Sequence, residues 1–206
     1  MADKFLEVVE ARKSLYKLKA ESTIPDSKIQ EIIEATIKHA PSTYNVQSAR
    51  AVILLGAKHQ QLWDIALKHM EPALEGSPMK DHVVSRIALH RASYGTVLWY
   101  EDQDALKALG EKSPMIVPML TEFSDHSSGL HQFIAWAALE AEGLGGNLQH
   151  YNFHPVFVAD VAAAYDLPDP STWKLKSQLV FGTPTSTERE YPRAYEPLEK
   201  RVLIKS

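Results

Sequence analysis

The chain has 206 residues, a net charge of −4, 45% hydrophobic and 23% charged residues, and no cysteine. One domain over 1–206 is expected, because that length buries roughly 70% of the unfolded surface in a single core and no linker or repeat divides it. The charge balance excludes a basic nucleic-acid-binding surface. The missing cysteines exclude disulfides, cysteine-ligated zinc and a thiolate nucleophile. The N-terminus, MADKFLEVVEARKS, has no apolar core of a leader peptide. No apolar run approaches the ~18 residues that span a bilayer. The expectation is a cytoplasmic protein without a membrane partner, a nuclear pool being left open.

Residues 3–12 read as a short amphipathic helix. Pro25 and Asp26-Ser27 announce a second, with Ser27 and Gln30 spaced as a capping box and Ile29, Ile32, Ile33 and Ile37 at helical spacing. Pro41 ends it. RAVILLG (50–56) reads as a buried strand, 58–70 and 79–93 as helices, and TVLWY (96–100) as a second strand closed by Glu101-Asp102. From about Gly129 to Glu142 the chain is apolar on nearly every side, which predicts a helix buried all round or in a subunit interface. Gly143-Leu144-Gly145-Gly146 stops it. A helix over 156–166, a strand over 174–182 and a strand-like tail over 199–206, beyond the Pro-rich stretch 184–197, complete the pattern. Strands separated by helices indicate an α/β or α+β sandwich.

Three segments carry candidate chemistry. Arg12-Lys13-Ser14 offers a bidentate fork, a point charge and a hydroxyl, a set that suits a phosphate monoester. Taken alone, such a basic pair more often complements a helix dipole. Pro41-Ser42-Thr43-Tyr44-Asn45-Val46-Gln47 gathers polar side chains in one loop beside a buried strand. It reads equally as a binding loop or as a plain turn. Gly143-Leu144-Gly145-Gly146-Asn147-Leu148-Gln149-His150-Tyr151-Asn152 allows close backbone approach to a planar ligand, although a helix C-cap explains its glycines too. It is not a GxGxxG turn after a strand.

Together the three segments resemble the nitroreductase family in order and spacing, and its short fungal and bacterial branch associated with fatty-acid repression in particular. YGTVLWYED (94–102), WKLKSQLVFG (173–182) and EPLEKRV (196–202) also look like that branch. The resemblance implies an α+β three-layer sandwich, a central mostly antiparallel sheet flanked by helices, with a C-terminal strand exchanged between the subunits of an obligate homodimer. It implies FMN-dependent oxidation of NADH or NADPH and reduction of nitroaromatic, quinone or similar electron-poor small molecules by ping-pong hydride transfer, with a link to oxidative stress. Arg12 and Ser14 would hold the FMN phosphate or ribityl chain, with Lys13 beside the ring. Pro41, Ser42, Thr43 and Asn45 would reach the flavin from the other subunit, with Gln47 near them. Leu144, Gly145 and Gly146 would lie along the ring, and Arg193 would meet the phosphate. Where many relatives carry a cation two positions after the serine, this chain has Tyr16, and Arg91 or His90 is the expected substitute. Tyr195 stands at a second phosphate-binding position.

Other residues read more plainly. Nine histidines show no metal-ligand spacing. His82, His90, His126 and His131 are expected at the surface or in polar contacts, and Trp63, Trp99, Trp136 and Trp173 in the core or an interface. Residues 188–193 are expected to be solvated, Arg193 excepted. No GxSxG supports a hydrolase, and no side chain is nominated as nucleophile or obligatory acid. Two alternatives stand beside the reductase: a flavin-binding regulatory protein of redox stress or lipid signalling with little turnover, and an enzyme that modifies the flavin or a halogenated substrate.

Overall fold

The computed structural model describes residues 2–205. The sheet is built on β5 (Trp173–Pro184) and β3 (Gly95–Asp102), which pair antiparallel. β2 (Ala49–Leu55) flanks β3, while β4 (Gly145–Gln149) and the two-residue β1 (Leu18–Lys19) share the other edge of β5, all antiparallel. A bulge in the β3–β5 register lies between Trp99 and Tyr100.

Alternation along these strands feeds two separate cores. Val97, Trp99, Leu179 and Phe181 face α2 (Asp26–His39) and α6 (Leu120–Ala141), meeting Ile29, Ile33, Ala135 and Leu139. Leu98, Tyr100 and Val180 face α3 (Gly56–Ala73), α4 (Lys80–Arg91) and α7 (Pro155–Ala164), meeting Leu62, Trp63, Ile87, Phe157 and Val161. The result is the expected three-layer α+β sandwich. Its central strands are buried on both faces, which is why they read as nearly continuous apolar runs. No helix among the described residues is long and apolar enough to cross a membrane.

Several boundaries differ from the sequence reading. α1 (Ala2–Ala11) buries none of its residues. α2 starts two residues earlier than a Ser27 cap requires. Pro25 is the N-cap and its carbonyl accepts from Lys28 and Ile29, so Ser27 sits inside the first turn and the capping box does not form. Asp102 closes β3 as expected but also caps α5 (Gln103–Lys112), accepting from the backbone N–H groups of Asp104 and Ala105; the sequence reading missed that helix. α6 begins at Leu120, nine residues before Gly129. Its early buried face is Ser124, Ser127, Ser128 and His131, residues that leave no apolar period to read. Ser127 and His131 turn their hydrogen bonds onto their own helix: Ser127 Oγ donates to the Phe123 carbonyl at 2.9 Å and His131 Nδ1 to that of Ser127 at 2.7 Å. The tail forms no strand. Leu198–Lys200 is a single 3₁₀ turn, and Val202, Leu203 and Ile204 are exposed; Ser206 lies outside the described residues.

His90 is not at the surface but fully buried against Trp63, ring centroids 4.7 Å apart, with neither nitrogen hydrogen-bonded. His59 is buried beside it, its Nδ1 2.9 Å from Thr96 Oγ1, which also accepts from Trp63 Nε1. Burial pushes the His59 imidazole down to about 4, and burial with the nearby Arg86 charge pushes His90 to about 3. Below about pH 6.5 the unfolded chain binds protons at these positions that the fold refuses. The stability they confer is therefore complete above that pH and lost progressively as pH falls toward 4 and 3. Urea midpoints are expected to drop across that window. His90→Leu, which also removes two unsatisfied polar atoms, should flatten the drop without lowering the midpoint at neutral pH.

Candidate functional site

The end of α6 sets the position of the glycine-rich segment. The N–H of Gly143 donates to Glu140 and that of Leu144 to Leu139, a paired C-terminal cap that puts Gly143 at φ +86°. The chain then enters β4 directly, so Gly145 and Gly146 are buried strand residues as well as part of a turn.

The Arg12–Tyr16 segment is laid alongside β4. Ser14 bridges Gly146 in parallel, Leu15 N–H donates to the Gly146 carbonyl at 2.9 Å, and buried Asn147 donates its side-chain N–H to the Leu15 carbonyl at 2.8 Å. A Cβ on Gly146 would stand 3.0 Å from the Val180 carbonyl and 3.2 Å from Trp136 Nε1, so the close backbone approach needs glycine. Both Glu140 carboxylate oxygens accept from the Lys13 N–H at 2.9 Å.

Side chains from these elements line three adjoining cavities. One of about 480 Å³ is bounded by Arg12, Ser14, Gln132, Trp136, Leu148 and Arg193. One of about 310 Å³ adds Tyr16 and residues 189–192, and one of about 210 Å³ continues past Lys17 to Ser186. The Arg12 guanidinium lies 4.3 Å over the Trp136 ring, and Trp136 Nε1 is buried without a partner. Burial lowers the Arg12 pKa; Glu140 opposes the shift, and the charges of Arg189 and Arg193 add to it. Converging cations beside a hydroxyl are a cradle for an anion. A larger cavity, about 550 Å³ between α5 and α6, is lined by none of the candidate site residues.

The structure thus brings together Arg12, Ser14, Tyr16, Gly145, Gly146 and Arg193. Leu144 is fully buried beneath them, and Lys13 turns its Nζ to the Thr187 carbonyl at 3.1 Å. The loop Pro41–Gln47 lines none of these three cavities. It is a strained turn, with Tyr44, Asn45 and Gln47 all at φ of 50–54° and the Gln47 N–H donating to Ser42 Oγ at 3.0 Å. Arg91 is not at the cleft either. It is the last residue of α4 and forms a half-exposed ion pair with Asp64 at 2.7 Å.

The cation that does meet Tyr16 is Arg86, 4.2 Å over its ring. Sequence reasoning missed it, although Arg86 lies one helical turn before His90 and so shares its face. Arg189, half-buried, and Glu190, exposed as expected, also line the cleft. Charge alone gave no sign of that.

The model of the nitroreductase family matches residues 9–183. The chain is 35% identical over 189 residues to the Saccharomyces cerevisiae protein described as "Putative nitroreductase HBN1", covering 90% of this chain and 91% of that one. Its fold superposes on the nitroreductase CinD of Lactococcus lactis in complex with nicotinic acid with a TM-score of 0.87 and 30% identity, over 98% of this chain and all of that one. CinD was also solved with chloramphenicol and with 4-nitrophenol. A "putative nitroreductase in complex with fmn" from Desulfovibrio desulfuricans shares the fold, with a TM-score of 0.65 at 22% identity over 98% and 96% of the two chains. The chain belongs to the nitroreductase family, in its short fungal branch, and is an oxidoreductase of that type.

Asn147 is what holds the Arg12–Ser14 segment against β4 from within the core. Asn147→Ala leaves the Leu15 carbonyl without that donor, at a cost of about 1–3 kcal/mol. A lower urea midpoint with faster amide exchange confined to residues 12–16 and 145–149 is the expected result.

Proposed function

We propose that the chain is a homodimeric FMN-dependent NAD(P)H oxidoreductase that reduces nitroaromatic, quinone or similar electron-poor molecules. The observation that carries this reading is the convergence of Arg12, Arg193 and Ser14 on one cavity, with Ser14 bridged to Gly146 of the buried strand β4. That donor set fits a phosphate monoester. When bound, FMN supplies the chemistry of taking up and passing on a hydride.

The chain's own residues bind and orient. Arg12 and Arg193 neutralise the phosphate, and Ser14 donates to it. The indole of Trp136 packs against the Arg12 guanidinium and restricts its orientation. Gly145 and Gly146, buried in β4, would set the position of Ser14 at the site through the Ser14–Gly146 bridge. Pro41, Ser42, Thr43, Asn45 and Gln47 would reach the cofactor from the other subunit, a use for a strained polar loop that lines none of the three cavities of its own chain. The cleft would admit a nicotinamide and then an acceptor in turn. The nicotinic acid, chloramphenicol and 4-nitrophenol complexes of CinD support both classes of visitor.

The dimer also explains the tail. Val202, Leu203 and Ile204 are 63–89% exposed. β2 ends the sheet beside an open apolar groove of about 610 Å³ lined by Ile33, Ile37, Ala51 and Ile53. An unpaired apolar segment and an unpaired edge satisfy one another across two copies.

Purified protein is expected to be yellow and to bleach anaerobically with NADH or NADPH, and adding a nitroaromatic should restore the colour. Bound flavin that neither nucleotide bleaches would favour the regulatory alternative. Arg12→Ala should emerge from gel filtration without flavin but with unchanged circular dichroism; full flavin content in that variant would remove Arg12 from the site. Deleting residues 198–206 should shift the sedimentation profile toward monomer and lower flavin content in the same sample.

A further inference from the structure

Residues 186–193 follow β5 as a strap with no regular structure and lie beyond the span that the family model matches. The strap supplies two of the three arginines around the cleft, Arg189 and Arg193. Both repel Arg12, so an empty cleft would tend to shed the strap unless something else held it. The anchorage lies in Arg86. Its guanidinium donates to both Glu190 oxygens, at 2.9 and 2.6 Å, and to the Tyr191 hydroxyl at 3.2 Å. The same group stacks 4.2 Å over Tyr16, on the segment that carries Arg12 and Ser14. Its side chain is 14% exposed. One side chain therefore ties together α4, the N-terminal segment and the strap.

Isolated surface ion pairs contribute little to stability. This one is a planar two-point fork braced on an aromatic face, the geometry in which arginine outperforms lysine. Glu190 also neutralises Arg86. That leaves three arginines, Arg12, Arg189 and Arg193, against Glu140 and Glu188 around the cleft, a surplus of positive charge.

We propose that Arg86 and Glu190 are positioning residues that hold the strap arginines in place before binding and thereby give the cleft its preference for a phosphate monoester over the same ligand without phosphate. This rests on the FMN reading above. The pair need not touch the ligand; it sets where the cations stand.

The test titrates full-length protein, freed of flavin by dialysis, with FMN and with riboflavin, following quenching of flavin fluorescence. Glu190 is on the surface, so Glu190→Ala is expected to fold normally. It should weaken FMN about tenfold, as loss of a charge-assisted pair does, and leave riboflavin unchanged. Trypsin should then cleave after Arg189 faster than in the wild type. Arg86→Glu should behave as Glu190→Ala does, and the exchanged double variant Arg86→Glu/Glu190→Arg should recover much of the FMN preference, which a merely structural role would not predict. Wild-type FMN affinity in Glu190→Ala overturns the inference, as does equal loss of FMN and riboflavin. Wild-type protein that binds neither flavin overturns the cofactor reading itself.

Discussion

β5 is the constraint on which the rest of the molecule depends. Twelve residues long and buried through most of its length, it pairs with β3 along one edge and with β4 and β1 along the other. Because its side chains alternate between two cores, a one-residue slip would exchange Leu179 and Phe181 with Val180 and disrupt both layers at once. That fixed register places β4, and β4 places the Arg12–Ser14 segment through the Leu15–Gly146 and Asn147–Leu15 hydrogen bonds. The end of β5 at Pro184 in turn launches the strap that carries Arg189 and Arg193. The cleft is thus assembled from chain segments about 170 residues apart by a single strand.

The electrostatics follow from this assembly. Arginines from both ends of the chain are brought close enough to repel, and the fold tolerates it by specific means. Trp136 lies under Arg12, Glu140 offsets part of its charge, and Glu190 is committed to Arg86. A protein that only needed stability would not gather like charges around a cavity. A protein that holds a charged ligand gains from having them in place beforehand, because little reorganisation remains when the ligand arrives.

Much of the architecture was legible in the amino-acid order. The runs RAVILLG, TVLWY and QLVFG announced buried strands, and Ile29, Ile33 and Ile37 announced a helix face, because apolar burial leaves a period. The second half of α6 was legible for the same reason and its first half was not, since serines and a histidine fill its buried face. The short β1 and β4 have no apolar signature at all. They exist because β5 offers them an edge. α5 went unread because Asp102 was taken for the end of a strand when it is also the cap of a helix.

The sequence by itself determined the family, the three-layer class and the Arg12-Lys13-Ser14, Pro41–Gln47 and Gly143–Gly146 segments, because local chemistry and spacing are carried in consecutive residues. Tertiary structure alone decided which of these segments meet within one chain. Arg193 reaches Arg12 while Pro41–Gln47 stays apart. Arg91, adjacent to His90 in sequence, points away to Asp64, while Arg86, one turn earlier, stacks on Tyr16. The physical reason is that a helix assigns successive residues to faces about 100° apart, and which face meets the cleft depends on how α4 packs on the sheet, a relation between distant parts of the chain that no local pattern records.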